Sequence, residues 1–222
     1  MKQLLIVANW KSYKTTSEAK EWLETLESRI KNYELGNKTI ILCPSFTLLQ
    51  HCIWFVRQFK LPIILGAQDV SAFPEGPYTG EVNAKQIKEF CAYVIIGHSE
   101  RRQNFQETEE ILAKKVQQAK EAGLKVIFCV QGTETKIPEG VEIVAYEPVS
   151  AIGTGNPDTP ENANTVAEYI KTNNSSVLQV LYGGSITSEN VHAFSNVSAI
   201  DGVLIGGASL DSEAFAHIVE NA

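Results

Sequence analysis

The 222 residues predict an α/β fold, a closed (β/α)8 barrel spanning residues 1–222 as one domain. Three observations carry this prediction. Eight short apolar, β-branched runs recur along the chain, and most stretches between them have helical character. The runs are hydrophobic almost throughout, as strands buried on both faces of a helix-covered parallel sheet must be. A doubly wound open sheet would present similar runs; eight strand-helix units suit the closed barrel better.

The first run, QLLIVAN at 3–9, precedes the helical stretch SEAKEWLETLESRI. KTIILC at 38–43, LPIILG at 61–66 and AYVIIG at 92–97 read as strands two to four. TEEILAKKVQQAKEAG then opens on Thr108 and acidic residues and closes on Gly123, start and stop signals of a helix. LKVIFCV at 124–130 and VEIVAY at 141–146 are strands five and six, with only residues 131–140 between them. TETKIPEG in that gap is rich in turn formers, so the helix between strands five and six is expected to be shortened or missing. The gap can just close a parallel crossover. TPENANTVAEYIK, VLQVLY at 177–182 and IDGVLIG at 200–206 complete the pattern. Trp22 and Trp54 fall on expected helices, where they read as packing residues.

The composition, 44% hydrophobic and 20% charged, is that of a globular chain. A net charge of −7 argues against nucleic acid but allows a small anion in a locally positive pocket. Cys43, Cys52, Cys91 and Cys129 show no CxxC spacing, which fits a reduced cytoplasm, not a disulfide or metal framework. No apolar run approaches the roughly 20 residues that span a bilayer. The start, MKQLLIVANW, soon reaches polar Asn9, so neither signal peptide nor membrane anchor is expected.

In such a barrel, reactive groups gather where strands end and loops begin. The first strand ends in Asn9-Trp10-Lys11, the fourth in Gly97-His98-Ser99-Glu100-Arg101-Arg102, and the sixth in Ala145-Tyr146-Glu147-Pro148. Singly, Lys11 reads equally as a solvated charge, His98 as a structural histidine and Glu147 as a salt-bridge partner. Together they supply a cation, a hydrogen-bond donor and a base, the set needed to move a proton beside a carbonyl. Ile152-Gly153-Thr154-Gly155, Tyr182-Gly183-Gly184-Ser185 and Ile205-Gly206-Gly207-Ala208 follow strands six, seven and eight. Glycines there let backbone N–H groups approach a phosphate closely, although any one of them would also suit a tight turn.

The motifs ANWK, GAQDV followed by YTGEV, GHSERR, AYEP, AIGTG, YGGSI and DGVLIGGASL occur in this order from residue 8 to residue 210. In that order they resemble the triose-phosphate isomerase family, whose fold is the TIM barrel. The resemblance implies interconversion of dihydroxyacetone phosphate and D-glyceraldehyde 3-phosphate through an enediolate, in cytoplasmic glycolysis and gluconeogenesis, with no cofactor and no metal. It implies Glu147 as the base, His98 as hydrogen-bond donor, Lys11 as the cation, Asn9 as a positioning group and Glu100 as the partner of Lys11. Gly153, Ser185, Gly206 and Gly207 match backbone phosphate binders. Pro148, Val149, Ser150 and Ala151, continuing through Ile152-Gly153-Thr154-Gly155 to residue 158, resemble the lid that closes over the substrate. Residues 68–81 resemble the third loop that reaches a neighbouring subunit, with Thr79, Gly80 and Glu81 at the contact, so a homodimer is implied.

The chain departs from the family in two linked places. Ser150 stands where the lid has tryptophan, and Cys129-Val130-Gln131-Gly132 lacks the glutamate that contacts that tryptophan. Both partners are absent together, and Pro157 stiffens the far hinge, so catalysis is expected to survive with altered lid kinetics. The missing helix exposes a side of the barrel that further subunits could cover, leaving a tetramer open. Cys129 matches a cysteine beside the family's site and reads equally as a small core residue. Two other readings stand beside this one. An aldolase or other sugar-phosphate enzyme would share the glycine loops, but the one interior lysine, Lys125, lies at the wrong end of its strand. A binding protein that had lost turnover would not be expected to retain Asn9, Lys11, His98 and Glu147.

Overall fold

Each apolar run forms a strand whose ends lie within two residues of the run. The computed structural model describes residues 2–31, 33–149, 151 and 155–222. Its strands are β1 (Leu4–Asn9), β2 (Lys38–Cys43), β3 (Ile63–Ala67), β4 (Tyr93–Ile96), β5 (Lys125–Val130), β6 (Ile143–Tyr146), β7 (Gln179–Tyr182) and β8 (Gly202–Ile205). They pair in parallel in chain order, and β8 pairs back to β1, so the sheet is a closed barrel and not an open one.

Side chains alternate across the closed sheet. Leu5 and Val7, Ile41 and Cys43, Ile127 and Cys129, Ile143 and Ala145, with Leu181 and Leu204, pack together inside the barrel. The residues between them, such as Ile6, Ile40, Phe128, Val144 and Val203, join a second cluster against the helices. Most strand positions are therefore buried on both faces, the exceptions, such as Ile64 and Lys125, lying toward the strand starts, which is why the runs are largely hydrophobic. The seam between first and last strands needs a glycine: Gly202 is the register partner of Leu5, and a Cβ there would collide with the Leu5 carbonyl oxygen.

The covering helices are α1 (Thr16–Ile30), α2 (Leu49–Gln58), α3 (Ala84–Lys88), α4 (Ser99–Phe105), α5 (Glu109–Glu121), α6 (Pro160–Asn173), α7 (Val191–Ser195) and α8 (Ser212–Asn221). Thr15 and Glu18 form a capping box at the start of α1. Thr108 caps α5 through the Ile111 N–H, and Gly123 follows that helix in the left-handed conformation that ends it. Residues 131–142, all described, form no helix between β5 and β6. Among the described residues no helix is long and apolar enough to cross a membrane.

Trp22 packs as expected: it meets Trp10 edge-on at 4.8 Å and donates from Nε1 to the Ser209 carbonyl at 3.0 Å. Trp54 does not, being 58% exposed. Helix α2 turns Leu49, Cys52, Phe55 and Val56 toward the barrel, and that choice of face leaves Trp54 outside.

Gly202→Ala should destabilise the fold by about 2 kcal/mol, a fall in Tm of roughly 4 to 8 °C, because the added methyl meets fixed backbone. Gly132→Ala, with open space around its Cβ position, should stay within about 0.5 kcal/mol of the parent by the same thermal melt.

Candidate active site

The two-residue alternation that fills the barrel also sets its floor at the C-terminal mouth. After Leu5 and Val7 the next inward position of the first strand is Asn9, and after Ile143 and Ala145 the next inward position beyond β6 is Glu147. Both are buried polar residues. Lys11, two residues beyond Asn9, has a φ of 52°, a left-handed conformation that costs a lysine about 1 kcal/mol or more. Its neighbours over-determine it. The Lys11 N–H donates to Asn9 Oδ1 at 3.0 Å, and Gln68 Nε2 donates to the Lys11 carbonyl at 2.8 Å and to the Cys43 carbonyl at 2.9 Å. The Lys11 ammonium lies 2.5 Å from Glu100 Oε1.

His98 precedes α4, and its Nδ1 accepts the Glu100 N–H at 3.2 Å. A backbone N–H can only donate, so Nδ1 presents a lone pair and the ring proton sits on Nε2. The 3.7 Å approach of Nδ1 to Glu100 Oε2 is therefore not an ion pair. On the other side of the ring, Nε2 lies 3.1 Å from Glu147 Oε1. Glu147 Oε2 accepts the Ser99 N–H at 3.3 Å.

Burial pushes the Glu147 carboxyl above its ordinary value. His98, the Ser99 N–H, a hydrogen bond from the Cys129 thiol and the Lys11 charge oppose that rise without cancelling it. The Cys129 thiol is itself held well above its ordinary range, by burial first and by the neighbouring Glu147 second. It remains a protonated donor.

The opposite wall is built from the ends of β7 and β8. Ser185 has a φ of 49°; its hydroxyl donates to the Ala151 carbonyl at 2.6 Å, and Asn190 Nδ2 holds the Ser185 carbonyl at 3.0 Å. Gly183 and Gly206 lie at close approaches: a Cβ on the first would lie 3.0 Å from Glu147 Cγ, and on the second 3.0 Å from Lys11 Cε. Asn9, Lys11, His98, Glu147, Ser185, Gly206 and Gly207 line one pocket of about 260 Å³, joined by Gly155, Ile186, Thr187 and Leu204. A larger cavity of about 510 Å³ beside α3, among Glu75, Lys85, Lys88 and Glu121, has no comparable convergence of groups on one point, so the smaller pocket is the chemical one.

Glu100 does not line that pocket and reaches it through Lys11. Gly153, and with it Ser150, Ile152 and Thr154, lies outside the described residues. Of the remaining lid residues Val149 is 68% exposed and Ala151 is buried. Thr79, Gly80 and Glu81 are exposed and stand apart from the pocket, while Phe73 and Tyr78 stack on each other at 4.4 Å on the surface of the same loop. Gln131 offers an Nε2 that is buried without a partner among the described residues.

Sequence reasoning missed Gln68 as the clamp on Lys11; its signal was its inward parity after Ile64 and Gly66. It also missed the cluster behind Gln68, in which Lys115 pairs with Asp69 at 2.6 Å and with Glu107, while Arg101 bridges the same two acids. That cluster ties the third loop to α4 and α5.

A family model described as triosephosphate isomerase matches residues 4–222. Curated relatives named triosephosphate isomerase are similar over their whole length. The chain is 38% identical to one from Dictyoglomus thermophilum, covering 100% of both chains. It is 38% identical to one from Roseiflexus castenholzii, covering 99% of this chain and 97% of the relative. It is 39% identical to one from Trichodesmium erythraeum, covering 99% of each.

A folded-state carboxyl raised above 4.5 makes ionisation of Glu147 a cost to folding that grows as pH rises from that value through the raised one. Glu147→Gln, which cannot ionise, should therefore melt higher than the parent at neutral pH. The difference in Tm should shrink as pH falls below 4.5; a difference independent of pH would contradict the assigned burial effect.

Proposed function

This chain belongs to the triosephosphate isomerase family, and we propose that Glu147, His98 and Lys11 divide its proton transfer among them. It is an isomerase that interconverts dihydroxyacetone phosphate and D-glyceraldehyde 3-phosphate. The observation that carries the residue assignment is the 3.1 Å contact of Glu147 Oε1 with His98 Nε2 at one side of a pocket walled by Ser185, Gly206 and Gly207.

In this reading the substrate phosphate lies against the backbone of Ser185, Gly206 and Gly207, with Gly153 as the fourth donor. The carbonyl and hydroxyl oxygens then face His98 and Lys11. Glu147 takes the proton from one carbon, leaving an enediolate, and returns it to the neighbouring carbon. The partly desolvated carboxylate is a stronger base than one in water, and its raised value favours holding the proton between the two transfers. His98 Nε2–H donates to the enediolate oxygens, and the Lys11 ammonium opposes their charge. Asn9 has Oδ1 occupied by the Lys11 N–H, which leaves its Nδ2 as the donor toward a substrate oxygen. Glu100 holds the ammonium so that it need not reorganise as charge develops. Nothing in this proton transfer calls for a cofactor.

We read residues 148–158 as the lid over the bound substrate, a motion for which this family is a standard example. With Ser150 in the place of tryptophan, its opening and closing rates should differ from the family's. The exposed third loop, with Thr79, Gly80 and Glu81, supports a homodimer; the absent helix between β5 and β6 is the reason a tetramer is the next alternative. We place the protein in the cytoplasm as a single barrel domain.

A coupled assay with glyceraldehyde 3-phosphate tests the assignment. Glu147→Gln should lower kcat by about a thousandfold, the scale of a lost general base. Lys11→Met should cost at least about a hundredfold, as loss of a preorganised charge does. Wild type no faster than Glu147→Gln would overturn the reading. Sedimentation should give a dimer, and Thr79→Arg should shift it toward monomer with reduced turnover; a monomeric parent of full activity would remove the third-loop contact from the account.

A further inference from the structure

The residues immediately before Glu147 and Gly183 are both tyrosines, and both hydroxyls reach the same residue. Tyr146 and Tyr182 are register partners on β6 and β7. Their rings belong to the outer cluster, on the face of the sheet opposite Glu147. Tyr182 stacks on Phe194 with ring centres 4.1 Å apart, and Tyr146 meets Tyr182 edge-on at 6.2 Å. Where the chain returns from the mouth to α6, the Asp158 N–H donates to the Tyr182 hydroxyl at 2.7 Å. The Tyr146 hydroxyl donates to Asp158 Oδ2 at 3.3 Å. The same carboxylate receives the Thr159 N–H on Oδ1 at 2.8 Å and Asn162 Nδ2 on Oδ2 at 2.7 Å, at the start of α6.

We propose that Asp158 is a positioning residue for Glu147: through the Tyr146 hydroxyl it fixes the residue before the base to the start of α6. This rests on Glu147 being the base. Tyr146 is held at both ends, by its hydroxyl on Asp158 and by its carbonyl, which accepts the Gly183 N–H at 2.8 Å. A shift of Tyr146 therefore moves Glu147, its chain neighbour, and Gly183, whose missing Cβ makes room for Glu147 Cγ. Burial, and then the Asp158 charge, pushes the Tyr146 hydroxyl up to about 12, so it stays a donor throughout the neutral range. Small displacements of a base cost rate before they cost binding.

Two roles compete with this one for Asp158, a contact at the end of the lid and a contact at the start of α6. Tyr146→Phe, which leaves the Asp158 N–H bond to Tyr182 intact, separates the first, and the Asn162 contact separates the second. Steady-state kcat and KM for glyceraldehyde 3-phosphate are measured for Asp158→Ala, Asp158→Asn, Tyr146→Phe, the double variant Asp158→Ala/Tyr146→Phe, and Asn162→Ala. Asp158→Ala and Tyr146→Phe should each lower kcat about tenfold, with KM moving less than about twofold, the scale of one lost hydrogen bond read in the transition state. The double variant should fall no further than the worse single one, because both remove the same bond. Asp158→Asn keeps an oxygen for Tyr146 and should return kcat to within about threefold of wild type. Asn162→Ala should keep wild-type kcat while lowering Tm.

Wild-type kcat in Tyr146→Phe, multiplying losses in the double variant, or an Asn162→Ala as slow as Asp158→Ala would overturn the proposal. Should Asp158→Ala fail to fold, Tyr146→Phe, which removes one hydroxyl, decides alone. Glu147→Gln assayed alongside keeps the two readings apart: activity retained there overturns the base, while activity lost there with Tyr146→Phe unaffected overturns only the role of Asp158.

Discussion

Glu147 Oε1 and His98 Nε2 meet at 3.1 Å, both buried, and what surrounds each group sets what it can do. The Glu100 N–H takes the lone pair of His98 Nδ1, so the other nitrogen must donate. As the base, Glu147 faces that nitrogen as a carboxylate, in a setting where burial favours the neutral acid. The Ser99 N–H, the Cys129 thiol and Lys11 keep that carboxylate accessible. The balance depends on the barrel being closed. The groups come from the ends of β1, β4, β5 and β6, and only the full circle of strands, sealed where Gly202 meets Leu5, holds those ends in register.

The proposed assignment gives two glutamates opposite parts, and their surroundings differ to match, Glu147 lining the pocket and Glu100 reaching it through Lys11. Glu147 is 2% exposed and its carboxyl is raised, which suits a group that must take up and release a proton. Glu100 has a side chain 43% exposed and holds an ammonium at 2.5 Å, which suits a fixed anion. The strained Lys11 backbone belongs to the same design. Asn9 and Gln68 hold a conformation the lysine would not adopt alone, and Gly206 leaves the space its side chain crosses.

Most of the barrel was legible in the sequence because its strands are largely buried on both faces, so each appears as a mostly apolar run. The position of Asn9 and Glu147 at the ends of the first and sixth runs was enough to bring them to the mouth. The absent helix after β5 was legible from the short gap and its turn formers. Trp54 was misjudged because helical spacing shows that one face is buried without showing which residues at its margin are covered. Gln68 was not legible as a clamp because its partners are main-chain oxygens of Lys11 and Cys43, remote in sequence and without a side-chain signature. Asp158 was hidden because its partners are remote in sequence: only the pairing of β6 with β7 brings two tyrosine hydroxyls to it.

The ionisation of Glu147 in the intact protein tests this account most directly. Carbon-13 NMR of side-chain-labelled glutamate, with the Glu147 signal assigned by its loss in Glu147→Gln, follows that one carboxyl from acid to neutral pH. The account predicts a midpoint above 4.5, the direction burial imposes against His98, Ser99, Cys129 and Lys11. A midpoint at or below 4.5 would mean that the charged partners outweigh burial, and the balance described for this site would be wrong.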